Sequence, residues 1–422
     1  MRYAQLPTFL EEEAVDSMVR NVIAFLVLLW LVKMVAIVAM SSTCPCDEER
    51  WCQTIQGPPI RTGSEIFGFY GSWVNSNPLP IGMDMNWTYV STVAWADRDE
   101  IMCLAHQHGA RAVIGAPKIE NMTALADPLN RREWIQHALD FVLQTYRDGI
   151  VFDYEEPLPI HSLEGDVYAT LVEETTIIFH QANPSLQVTT CVPWSPHNID
   201  GRAYPFKRLA KASDALYVMD YDTRSQIFDT CIAGANAPLS GMINGMNEWF
   251  NLGIEASKLI LGVPWYGYKY ECLPGTQPDA VFCPIDFVPF RGVNCSDAVG
   301  KQVGHGDAIK RIREVGAKVS RDRSTHSLYF NTVEASYSHP GDAVFQYWIE
   351  DPMLLREKYR WARDNSLAGV GPFVFRNLDP VNEPEESQAM WSVFDDFIVD
   401  VSVNVVGERI DDEEVFERKT KS

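Results

Sequence analysis

Eight short apolar runs recur along the chain: EIFGFYG (65–71), VSTVAWA (90–96), RAVIGA (111–116), GIVFDYE (149–155), QVTTCVPW (187–194), ALYVMDYD (215–222), LILGVPWYG (259–267) and GVGPFVFR (369–376). Their β-branched and aromatic content predicts strands. Between them, stretches such as 132–149, 168–184 and 353–368 carry apolar residues at three- and four-residue spacing, as amphipathic helices do. Strands alternating with helices imply parallel strands joined by right-handed crossovers. Eight such units fit one α/β (β/α)₈ barrel. A doubly wound open sheet is the alternative, but it wants a glycine-rich phosphate loop after the first strand, and FGFYGSW is not one.

The rhythm breaks between the seventh and eighth runs. Residues 268–350 are rich in Cys, Pro and Gly, and HSLYFNTVEASY and AVFQYWIED predict an antiparallel hairpin. This stretch is expected as an insertion on the catalytic rim of a single barrel domain over 43–398. Residues 399–422, with Asp411, Asp412, Glu413 and Glu414 in a row, are expected as a flexible charged tail. Residues 22–40 are apolar except for Lys33, and Ser41 and Ser42 follow. Residues 1–42 thus predict a signal peptide, with a signal anchor as the alternative.

Composition sharpens the picture modestly. Hydrophobic residues make up 46% of the 422 and charged residues 22%, which is globular. A net charge of −22 argues against a nucleic-acid partner. Nine cysteines form no CxxC pair, so disulfides in an oxidising compartment are expected, with at least one thiol left over; Cys272 and Cys283 close a short loop. Asn86, Asn121 and Asn294 each begin a glycosylation sequon. His161, His197 and His326 form no ligand cluster, and neither a metal nor another cofactor is expected.

The candidate chemistry lies in DGIVFDYEEP (148–157). With a strand's period of two, Asp153 and Glu155 share one face, about 7 Å apart. Paired carboxylates at the end of an apolar strand are costly unless used or paired, and glycoside hydrolysis uses such a pair. The other reading is a pair of buried carboxylates satisfied by Arg or Tyr.

DGIVFDYE resembles the DGxxxDxE core of glycoside hydrolase family 18, the chitinase-like family. VPWSPHNID (192–200), MDYDTRSQIFDTCIAGANAP (219–238), GVPWYGYKYEC (262–272) and VPFRGVNCSDAVGKQV (288–303) extend the resemblance from about Cys44 to Trp391. The resemblance implies a (β/α)₈ barrel in the lysosome or secretory pathway, monomeric, acting on the GlcNAcβ1-4GlcNAc bond of chitobiose cores or small chitin oligosaccharides. It implies substrate-assisted retention. Glu155 would be the general acid and later activate water, its pKa raised by partial burial and the flanking carboxylate. Asp153 would accept the acetamido N–H, and Tyr221 would donate to the acetamido oxygen. Asp222, Asp148, Trp194, Trp265, Tyr266, Phe373, Asn198 and Arg291 are the expected sugar-binding residues, and Trp73 and Trp348 are further aromatic candidates. Two positions depart from the family pattern. Val151 stands where an acid is common, and Phe373 where a Trp usually floors the sugar site. Both leave a binding-only, lectin-like protein as the rival reading; a membrane-anchored glycoprotein rests on 22–40 alone.

Overall fold

The computed structural model describes residues 43–71 and 80–398. The expected leader over 1–42, the charged tail over 399–422 and Trp73 lie outside the described residues. All the elements belong to the compact body that begins at Pro45.

The eight apolar runs all contain strands: β1 (Glu65–Phe69), β2 (Thr92–Ala94), β3 (Arg111–Ala112), β4 (Ile114–Gly115), β5 (Gly149–Phe152), β6 (Gln187–Pro193), β7 (Ala215–Met219) and β8 (Leu259–Pro264) come first. The insertion supplies β9 (Tyr266–Glu271), β10 (Lys301–Gly304), β11 (Val319–Arg321), β12 (Leu328–Ala335) and β13 (Asp342–Ile349), and β14 (Gly369–Phe373) follows it. The first sheet runs β3-β2-β1-β14-β8-β7-β6-β5-β4, all parallel. Its two ends are halves of one strand. β3 pairs with β2 and β4 pairs with β5, while the Val113 N–H between them donates to Val93 O and the Ala116 N–H to Val151 O. The nine segments are therefore eight strands closed into a (β/α)₈ barrel.

The period-two alternation sorts the core into two layers. Phe67, Phe69, Val113, Val151, Cys191, Tyr217 and Ile260 point into the barrel. Ile66, Val93, Ile114, Ile150, Phe152, Val188, Leu216, Val218, Leu261 and Val263 point out against the helices. Those helices begin with local signals: Asp127 accepts from Leu129 N ahead of Pro128–Gln144, Ser162 from Gly165 N ahead of Leu163–Ala182, and Asp351 from Leu354 N ahead of Pro352–Asp364.

The insertion forms a separate antiparallel sheet in the order β10-β9-β13-β12-β11. The expected hairpin is β12 paired with β13 from Leu328↔Ile349 to Ala335↔Asp342. Disulfides Cys272–Cys283 and Cys231–Cys295 tie the loops at its base, and Cys46–Cys103 joins the start of the body to the helix Asp99–Gln107. Among the described cysteines, Cys191 is the free one, buried inside the barrel.

Candidate active site

The C-terminal ends of the barrel strands open into a cleft of about 200 Å³, lined by Glu155, Trp194, Asp200, Arg202, Tyr221, Asp222, Tyr268, Phe290 and Asp297 among others. Glu155 and Asp153 continue the inward face of β5 that begins with Val151. The chain beyond them is pinned: the Tyr204 hydroxyl donates to the carbonyls of Tyr154 and Glu156, and Leu158 bonds in both directions to the 201–203 segment.

Those contacts also bring Arg202 against the catalytic candidate. Its Nη1 donates to Glu155 Oε2 at 2.6 Å and its Nη2 to Asp200 Oδ2 at 3.1 Å. Glu155 is 57% exposed in the open cleft. The partial burial expected for it is thus absent, and its nearest charged partner is a cation rather than a second carboxylate. Enclosure by the barrel wall, then repulsion from Glu155, push the Asp153 carboxyl up to about 7, although its outer side opens to the cleft. Cys191, inside the barrel on β6, makes a side-chain hydrogen bond to Asp153, and burial drives its thiol well above the ordinary range, so the thiol is the donor. Val151 beside them is fully buried and apolar. The polar support that position 151 lacks comes from across the sheet.

Tyr221 continues the inward face of β7, and burial holds its hydroxyl neutral by raising it well above its usual value. Its ring stacks on Phe373 at 5.4 Å and 28°, and Trp95 meets Phe373 edge-on at 5.3 Å, giving an aromatic floor at the barrel mouth. Asp222 takes φ 51°, a strained value for a non-glycine residue. Its N–H donates to Asn236 Oδ1, while the hydroxyls of Tyr266 and Tyr268 both donate to its Oδ1 at 2.7 and 2.9 Å. Burial outweighs those bonds and raises its carboxyl to about 6. Behind this strand end, fully buried Lys358 donates to Asp220 Oδ2, Glu350 Oε1 and Ala237 O.

Several expected sugar contacts lie elsewhere. Asp148 sits at the opposite, N-terminal end of β5 and is fully buried. It accepts from the N–H groups of Ile55 and Ala112 and pairs with His106, so it staples the barrel floor instead of binding substrate. Trp265 is also fully buried, but on the outer face of the barrel against Phe375 and Trp391. Its place in the strand explains this, since Leu261, Val263 and Trp265 share the helix-facing side and the next residue, Tyr266, turns inward. Asn198 is an exposed turn residue at φ 54°, and Ile199 and Asp200 after it face the cleft in its place. Arg291 is exposed and stands 5.0 Å over the Phe290 ring, and that ring, not the guanidinium, lines the cleft. Trp348 stacks on Tyr329 within the insertion sheet. Trp194 does line the cleft.

The raised carboxyls have a consequence for stability. Asp222, Asp153, Glu350 and Asp297 lie at about 6, 7, 7 and 8 in the folded chain, chiefly through burial, and His106 is raised by its bond to Asp148 despite burial. For a group whose folded pKa exceeds its unfolded value, the native state binds more protons. Stability from it is full below the unfolded pKa and is lost as pH rises through the folded one. Glu334, lowered to about 2 by its hydrogen bonds and Lys269, acts oppositely but only below its ordinary value of 4.5. Scanning calorimetry should therefore give a Tm higher at pH 5 than at pH 8 by at least about 2 °C. A Tm that is flat or rises over that interval would contradict the assignment.

A parallel eight-stranded barrel whose fourth strand ends in two carboxylates, facing a tyrosine hydroxyl across an open cleft, defines a glycosidase-type active site. The chain belongs to glycosyl hydrolases family 18, whose family model matches residues 115–375. It is 35% identical to the di-N-acetylchitobiase of Homo sapiens over 84% of this chain and 89% of that protein. It is 34% identical to a probable di-N-acetylchitobiase 2 of Dictyostelium discoideum over 84% and 90%. In structure it resembles the second catalytic domain of a group II chitinase from Ostrinia furnacalis, with a TM-score of 0.63 at 19% identity over 79% of this chain and 96% of that one.

Proposed function

We propose that this glycoside hydrolase cleaves the GlcNAcβ1-4GlcNAc bond of chitobiose cores of Asn-linked glycans or of small chitin oligosaccharides, with retention, in the lysosome or secretory pathway. The observation that carries the reading is Glu155 in the cleft that Tyr221 also lines, with Asp153 beside it on the strand face that Val151 begins. The curated relatives' names point to the same substrate.

In this reading Glu155 protonates the glycosidic oxygen as the 2-acetamido oxygen of the sugar attacks the anomeric carbon. The Tyr221 hydroxyl, held neutral, orients that oxygen by donating to it. Asp153 accepts the acetamido N–H. As the carboxylate, Asp153 balances the oxazolinium charge that grows beside it, and burial and the neighbouring Glu155 raise its carboxyl to about 7 in the resting site. Glu155, now ionised and steadied by Arg202, takes a proton from the water that opens the oxazolinium ion. No metal or other cofactor takes part, and the protein acts as a monomer. The binding-only reading rested on Val151 and Phe373. The Cys191 bond to Asp153 and the Tyr221–Phe373–Trp95 stack supply what those two positions lack. Asn86, Asn121 and Asn294 are the glycan sites of this reading; Asn294 is exposed but directly precedes the bridged Cys295.

Proton NMR of products formed from chitotriose at early times tests the mechanism. β-Anomers are expected first, as retention requires. Initial α-anomers would rule the mechanism out, and absence of any turnover would rule out the function.

A further inference from the structure

Asp297 belongs to the insertion, at the start of a short 3₁₀ turn (Asp297–Val299), and no role is attached to it by the strand motifs of the barrel. It is 7% exposed and lines the same cleft as Glu155, Tyr221 and Asp222. The other carboxylates of the cleft wall are served. Glu155 and Asp200 share Arg202, Asp200 also accepts from Ser225 Oγ at 2.7 Å, and Asp222 takes two tyrosine hydroxyls. Asp297 Oδ2 has no hydrogen-bond partner among the described residues, and no ion pair there includes Asp297. A buried carboxyl oxygen left unmet is costly unless a ligand meets it. The residues around it define the ligand. Trp194, Tyr268 and Phe290 present aromatic surface, and the polar groups are carboxylates, hydroxyls and one cation, Arg202, which Glu155 and Asp200 already neutralise; that setting disfavours anions and matches the alternating apolar faces and hydroxyl edges of an uncharged sugar.

We infer that Asp297 is a substrate-binding residue that hydrogen-bonds a hydroxyl of the GlcNAc oligosaccharide from the insertion side of the cleft, and so sets the affinity of this enzyme for short sugars. The inference rests on the glycosidase reading of the cleft. It adds a sugar contact that the barrel strands do not carry. The backbone around Asp297 supports a fixed geometry: its N–H donates to Arg224 O, its carbonyl accepts from Gly300 N–H at 2.7 Å, and the adjoining Cys231–Cys295 bridge anchors the loop. Burial and the nearby Asp222 and Asp200 raise its carboxyl to about 8, so in acid the group can both donate to and accept from a hydroxyl.

The full-length protein tests this with steady-state kinetics on chitobiose and chitotriose. Asp297→Ala should raise KM about tenfold, the loss of one good hydrogen bond, with kcat changed less than about threefold. Asp297→Asn, which still donates and accepts, should stay within about threefold of wild type in KM. Asp297→Leu keeps most of the volume without the oxygens and carries the same expectation as Ala, should Ala fail to fold. A wild-type KM in a folded Ala or Leu variant would overturn the inference while leaving the glycosidase reading intact, because the wild type would still turn over. A wild type that neither binds nor cleaves these sugars would remove both.

Discussion

Replacing Glu155 by Gln is expected to lower kcat/KM on chitotriose by about 10²- to 10⁴-fold, the usual worth of a positioned acid–base group. The substitution is nearly isosteric, and its amide oxygen can still accept from Arg202 Nη1, which now reaches Oε2 at 2.6 Å. The cleft should keep its shape, and calorimetric binding of chitobiose should be preserved. The proton is what is lost. Glu156 points to the other face, and Asp153, on the same face, stands one step earlier along the strand and is assigned to the acetamido group. Turnover within about tenfold of wild type would show that Glu155 is not the acid.

The second large effect is expected at Asp153. Asp153→Asn should lower kcat by about 10²- to 10³-fold, as removal of a charge-stabilising group from a preorganised site does. KM should change little, because an amide oxygen still accepts the acetamido N–H in the ground state. The difference arises only as positive charge develops on the oxazolinium ion, which an amide cannot balance. The pH profile should change as well. The wild-type carboxyl, raised to about 7 by burial and by Glu155, titrates within the working range, and the Asn variant should lose that limb. A variant whose kcat falls less than about threefold, with the wild-type profile, would leave Asp153 without a catalytic part.

Glu155 and Asp153 were legible because they obey a local rule, a strand's alternation carried past the last apolar residue. The same rule contains the information that separates Asp148 and Trp265 from the cleft. Asp148 shares the parity of Ile150 and Phe152, and Trp265 that of Leu261 and Val263, all on the outer face. Membership in a motif drew these two residues into the site, and the parity of their strands removes them. Arg202, Asp200, Cys191 and Asp297 had no such signal. Arg202 is 47 residues from the Glu155 it pairs with, Cys191 meets Asp153 from a different strand, and Asp297 enters the cleft from the insertion.

The alternation of strands and helices, the eightfold count, the insertion with its hairpin, the short Cys272–Cys283 loop and the face that carries Asp153 and Glu155 were all legible along the chain. These follow from periodicities of two and of three to four residues, which act between neighbours in the chain. Which charges meet emerges in three dimensions: Glu155 faces Arg202, Asp153 leans on Cys191 where Val151 offers nothing polar, and Asp297 lines the cleft with one oxygen unmet. Barrel closure creates those encounters by bringing separate strands to one rim, and electrostatics in a partly enclosed cleft depends on distances that no local pattern encodes.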